Sequence, residues 1–224
     1  MASYWILFIA IALLSWGVSA LLEHRFNEYS KVHLSLTGRE VAEKMLRDNG
    51  IYDVKVISTN GHLTDHYDPR NKTVNLSENV YNSTSVSAAA VAAHECGHAV
   101  QHAHAYAPLG MRSALVPAVH FASKWVTWLL LGGIILLESA PQLLLAGIAL
   151  YAITTLFSFI TLPVEINASQ RAIAWLDQSG ITDRQTTPMA SAALRSAAYT
   201  YVVAALSSLG TLVYYIMIYL GRRD

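Results

Sequence analysis

Cysteine is all but missing from this chain: Cys96 is its single instance, so no intrachain disulfide can form and nothing demands an oxidising compartment. Set among small apolar neighbours, Cys96 reads as a buried filler and not as a reactive thiol. Charge is scarce too. Asp, Glu, Lys and Arg make up 13% of the 224 residues, about half the share of an ordinary soluble domain. The fifteen basic residues balance the fifteen acidic ones, which gives no argument for nucleic acid as a partner. What the chain has in abundance is apolar surface, with 54% of its residues hydrophobic.

Four long runs carry that excess. Ser3 to Leu22 is almost unbroken, and about 20 apolar residues suffice to cross a bilayer. No basic leader precedes this run and it is longer than a signal-peptide core, so it reads as a retained membrane helix. Val116–Leu137, Leu143–Leu162 and Tyr199–Leu220 are the other three expected spans. The expectation is one integral membrane domain over 1–224, with the lipid bilayer as a partner and one polar insert at 23–108. The loops Glu23–Arg112 and Glu165–Arg195 hold nearly all the Lys and Arg, including Arg25, Lys31, Arg112 and Arg171. The positive-inside rule puts those loops in the cytoplasm of a multi-pass cell-membrane protein. Asn71-Lys72-Thr73 and Asn82-Ser83-Thr84 match glycosylation sequons, but on that side they are turn residues. Lys124, deep in the second span, is expected to snorkel to the interface, with a polar cavity as the alternative.

The insert is where polar structure can form. Thr37-Gly38-Arg39-Glu40 has the capping-box pattern, opening a helix that stops at Asn49-Gly50. Asp53 to Ser58, His62 to Tyr67 and Thr73 to Leu76 read as strands, the first two joined by an Asn60-Gly61 hairpin. The predicted fold class is therefore an α+β membrane protein: about four transmembrane helices, a small three-stranded antiparallel sheet, and a zincin-type helix. Asn75 to Ser77 is the candidate sheet edge for holding an extended peptide, with an ordinary capped strand as the alternative.

That last helix carries His94-Glu95-Cys96-Gly97-His98. Positions i and i+4 share a helix face, so His94 and His98 can converge on one Zn2+, which favours nitrogen donors. Glu95 is placed to take a proton from an attacking water and pass it to a leaving amine. Short His-Glu-x-x-His patterns also arise by chance on surface helices. Here Ala88 to Ala93 make a buried helix, and two imidazoles and a carboxylate buried without a partner would be costly. Tyr199 and Tyr201 open the fourth span. Tyr199 suits an interfacial aromatic belt, whereas Tyr201 is the candidate for stabilising a tetrahedral oxyanion.

Motif, order and neighbours together resemble a family. Asp65-His66-Tyr67-Asp68-Pro69, Val74-Asn75-Leu76-Ser77-Glu78, Ala92-Ala93-His94-Glu95-Cys96-Gly97-His98-Ala99, Leu162-Pro163-Val164-Glu165 and Thr200-Tyr201-Val202 are similar to the YugP-type membrane zinc metallopeptidases. More distantly they resemble the HtpX-type membrane proteases. The resemblance implies His94 and His98 as zinc ligands, Glu95 as general base and Glu165 as third ligand. Two positions depart from the pattern. Ser169 stands four residues after Glu165, where HtpX-type enzymes usually carry an aspartate, and Asn167 stands at a position that can be acidic.

His104 is the rival third ligand, ten residues after His94 as in enzymes whose intervening glycine turns the chain back to the metal. Gln101 occupies that glycine position and favours a continuing helix. His102 would then lie about 12 Å along the axis from His94, and His104 farther still. Glu165 is instead expected to begin a cytoplasmic helix just after Pro163. The reading is a membrane-bound zinc metalloendopeptidase acting on protein or peptide substrates near the membrane surface. An inactive zinc-binding scaffold is the alternative. A metal transporter is disfavoured, since only His120 and Lys124 offer ionisable groups at mid-membrane.

Overall fold

The computed structural model describes residues 2–61 and 63–221. His62, expected to open the second strand, and the tail residues Arg222 and Arg223 lie outside the described residues. In chain order the elements are α1 (Ala2–Tyr29), α2 (Gly38–Asp48), β1 (Lys55–Thr59), β2 (His66–Asp68), β3 (Thr73–Ser77), α3 (Glu78–Tyr81), α4 (Val86–Ala103), α5 (Ala107–Ile135), α6 (Pro141–Gln178) and α7 (Thr186–Gly221). Among the described residues four helices, α1, α5, α6 and α7, are long and apolar enough to cross a membrane. The chain forms two compact units, one of Met1–Trp16, Gly110–Pro163 and Tyr201–Asp224, the other of Gly17–Leu109 and Val164–Thr200.

In the first unit α5 and α6 cross where glycine removes the side chain. A Cβ on Gly133 would collide with the backbone of Leu144, and one on Gly147 would lie 2.9 Å from the Leu130 side chain. Leu130, Leu144 and Ile148 are buried at that crossing, with Leu212 and Tyr215 of α7 packed beside them. Large apolar side chains such as Trp128 and Ile135 face outward, the inverse of a water-soluble surface. Lys124 and His120 on α5 are both exposed.

The second unit carries the expected small sheet. Thr37 caps α2 with both halves of the capping box formed, and Val41, Ala42, Met45 and Leu46 bury its apolar face. The three strands are present, but their pairing differs from the antiparallel expectation. The sheet order is β1-β3-β2, with β1 parallel to β3 and β2 antiparallel to it. Burial explains the order: β3 buries Val74 and Leu76 on one side and Asn75 and Ser77 on the other, so it takes the centre. The Asn60-Gly61 pair opens a longer loop, with Gly61 at φ +110 and the Thr64 hydroxyl donating to the Asn60 carbonyl. Nor is Asn75 to Ser77 an edge. Asn75 pairs with Ile57 on one side and His66 on the other, and the Ser77 N–H donates to Asp65.

Helix α4 begins at Ser85, whose hydroxyl accepts from the Ala88 N–H, and its alanines at 88, 89, 90, 92 and 93 are buried. The Cys96 thiol donates to the Ala42 carbonyl of α2. Gly97 lies against α6, where a Cβ would come within 2.6 Å of the Ala168 carbonyl oxygen. Helix α6 does not restart after Pro163 as expected; it carries that proline inside an unbroken helix. A proline removes one helical donor, and helices of this apolar kind tolerate it where neighbouring groups re-satisfy the backbone.

The α4–α6 contact generates a test. Gly97→Val is expected to force the two helices apart at a cost of about 1–3 kcal/mol, as overpacked cores do. Thermal unfolding of the purified protein should show a lower Tm than the parent, and an unchanged Tm would contradict the contact.

Candidate metal centre

Four-residue spacing on α4 brings two imidazoles to one face. The His94 and His98 rings meet edge to face, centroids 4.8 Å apart and planes at 85°. Helix α6 brings a carboxylate across to them. Glu165 Oε2 lies 3.2 Å from His94 Nε2 and 3.5 Å from His98 Nε2. Among the described residues these three form a group whose donor atoms all lie within 4.8 Å of one another. Zinc bonds of about 2.0–2.1 Å in a tetrahedral shell set neighbouring donors roughly 3.4 Å apart. The two spacings from Glu165 match that value and no pair of donors is more than 4.8 Å apart, so a small closing of the imidazoles lets His94, His98 and Glu165 hold the ion that the sequence implies.

The outer ring nitrogens are held as metal-binding imidazoles require. His98 Nδ1 lies 3.0 Å from Gln101 Oε1. The amide nitrogen of Gln101 donates to the Val164 carbonyl at 2.8 Å and to Asn167 Oδ1 at 3.1 Å. Both partners only accept, which turns the amide oxygen toward His98. That oxygen must also accept, so Nδ1 carries the hydrogen and the neutral ring offers a lone pair from Nε2. Arg171 Nε donates to the same Asn167 oxygen at 2.8 Å and anchors the far end. Gln101 is fully buried. On the other ring, Ser169 Oγ stands 3.1 Å from His94 Nδ1, so a hydroxyl fills the place where an aspartate was the familiar pattern.

Burial disfavours protonation of His98. Its hydrogen bond to Glu165 and the charges of Glu95 and Glu165 outweigh that, and the ring titrates above its ordinary value. Glu165 and His98 are buried, and Glu95, next to His94 on α4, is buried too. The buried Cys96 thiol is pushed well up by desolvation, which keeps it protonated and out of the ligand chemistry.

The rival histidines go elsewhere. His104 caps the end of α4 with Nδ1 on the Val100 carbonyl at 3.0 Å, and His102 Nδ1 meets the Tyr67 hydroxyl at 2.8 Å. Tyr201 lies on α7 in the first unit, whereas the cluster belongs to the second, and its oxyanion role stays a proposal. Sequence reasoning missed Gln101 as a ligand-orienting residue and treated it only as a helix former. Its place three residues after His98 was the available signal, because i and i+3 are neighbours on a helix.

Residues 4–220 match the family described as "putative neutral zinc metallopeptidase". A Bacillus subtilis (strain 168) protein named "Putative membrane protease YugP" is 42% identical over 224 aligned positions, covering 97% of this chain and 99% of the relative. No solved structure matches.

Zinc affinity, measured by competition with a chromophoric chelator, separates the candidate ligands. Glu165→Ala is expected to lose tight binding, and Gln101→Leu to weaken it about 10–100-fold by freeing the His98 ring. His102→Ala and His104→Ala should stay near the parent. Loss of zinc with His104→Ala, together with retention in Glu165→Ala, would overturn the assignment.

Proposed function

The chain belongs to the neutral zinc metallopeptidase family, and we propose that it is a membrane-bound zinc metalloendopeptidase. The observation that carries the reading is the convergence of His94, His98 and Glu165 within 4.8 Å, with both outer ring nitrogens held. Bound by those three residues, zinc supplies Lewis-acid polarisation of a scissile carbonyl and a water of lowered pKa. The chain's own residues do the rest. Glu95 takes the proton of the attacking water and delivers it to the departing amine. Glu165 supplies negative charge and keeps the two Nε2 atoms converged, while Gln101 and Ser169 fix the rings that carry them.

Substrates are proteins or peptides near the membrane surface. The long apolar helices and a relative named as a membrane protease support a membrane location. The Lys and Arg of loops Glu23–Arg112 and Glu165–Arg195 support a multi-pass chain with its site facing the cytoplasm.

Glu95→Gln tests the chemistry. The variant should retain zinc, because the ligands are untouched, while cleavage of an unfolded casein substrate falls by about 10²–10⁴-fold. Cleavage at the parent rate would sink the mechanism, and a zinc-loaded parent with no activity would favour an inactive scaffold.

Sidedness is tested by thiol labelling of intact cells. With Cys96→Ala as background, a cysteine at Pro141 should react with an impermeant reagent and one at Asn60 should not. Labelling at Asn60 would place the site outside.

A further inference from the structure

A cavity of about 400 Å3 opens in the second unit and shares no residue with the metal centre. That volume is within the range of about 300–1,000 Å3 typical of small-molecule sites. Thr187, Ser191, Arg195 and Tyr199 line it, and their four-residue spacing puts them in one stripe along α7. Arg25 of α1 and Ile173 of α6 close the other sides. The stripe is unusual for a helix that is otherwise so apolar.

Charge decides what such a cavity takes. Two guanidiniums face it, and no carboxylate lines it. Neither Arg25 nor Arg195 forms an ion pair among the described residues. Arg25 is held in place by donating Nη1 to the Ala192 carbonyl at 3.0 Å, which leaves most of its five donors available. Two unneutralised cations at one cavity repel each other, and a bound anion relieves that. Guanidinium forks match phosphate oxygens in pairs, and the hydroxyls of Thr187, Ser191 and Tyr199 add further donors. Ile173 gives an apolar wall that suits the glycerol and first methylenes of a lipid.

We propose that this cavity is a binding site for the phosphodiester headgroup of an anionic phospholipid. Arg25 stands three residues after Leu22, where the apolar run ends, and Arg195 and Tyr199 precede the apolar part of α7. Basic residues beside such runs stand at headgroup level in a bilayer. A free phosphate has the same recognition chemistry, so the test has to separate the two sources.

Native mass spectrometry of the full chain in detergent, titrated with phosphatidylglycerol or phosphatidylcholine, gives the readout. Phosphatidylglycerol should bind in preference, and Arg195→Gln should weaken it about five-fold, the effect of removing one basic residue near a membrane surface. Arg195 is exposed and Arg195→Gln breaks no hydrogen bond of the fold, so the variant should melt like the parent. The Arg25→Gln/Arg195→Gln double variant should lose the preference, whereas Arg184→Gln, outside the cavity, should keep it. Millimolar inorganic phosphate should not displace the lipid, and displacement would overturn the lipid assignment. Equal binding of the two lipids, or an unchanged preference in the double variant, would overturn the site itself.

Discussion

A single carboxylate held against two imidazoles is the interaction on which the second unit depends. Glu165 is almost fully buried, and a buried charge is tolerated only when paired and hydrogen-bonded. Its partners come from another helix, so α4 and α6 have to approach until their backbones nearly touch. Gly97 permits that approach, because any side chain there would meet the Ala168 carbonyl. The residue between the two histidines that looks featureless in the motif is thus the one that lets the Glu165 carboxylate reach them.

The same closeness explains the surrounding polar groups. Around the three donors, Gln101, Asn167, Arg171 and Ser169 each have a defined partner, and α6 supplies three of the four. A serine in place of the aspartate of the familiar pattern removes a negative charge next to His94 but keeps an acceptor for its Nδ1. The neutral amide of Gln101 does likewise for His98. Negative charge is thereby concentrated in Glu165 among the ligands and in Glu95 beside them. In the proposed mechanism this division leaves one carboxylate to hold the ion and one to move protons.

The helices and the two candidate histidine ligands were legible in the sequence because their signals are local. The capping box at Thr37, the apolar runs and the i, i+4 histidines are each read within a few residues. The identity of Glu165 came from a resemblance and not from spacing, since it lies 67 residues beyond His98. Sheet topology failed for a physical reason. Asn60-Gly61 is a hairpin signal only when the two flanking strands pair, and here β3 sits between them. Asn75 to Ser77 was the expected sheet edge, yet it lies in the central strand, with both side chains buried and satisfied by hydrogen bonds to His66, Thr73 and Asp65. Pro163 likewise suggested a helix boundary where α6 continues.

Zinc K-edge X-ray absorption on the purified protein tests the central claim most directly, because it reads the ligand atoms themselves. The predicted spectrum has two imidazole nitrogens at about 2.0–2.1 Å and oxygen donors at about 2.0–2.2 Å, with no sulfur. A scatterer at about 2.3 Å, the zinc–sulfur distance, would bring Cys96 into the shell and contradict the account. So would a third imidazole in place of the carboxylate.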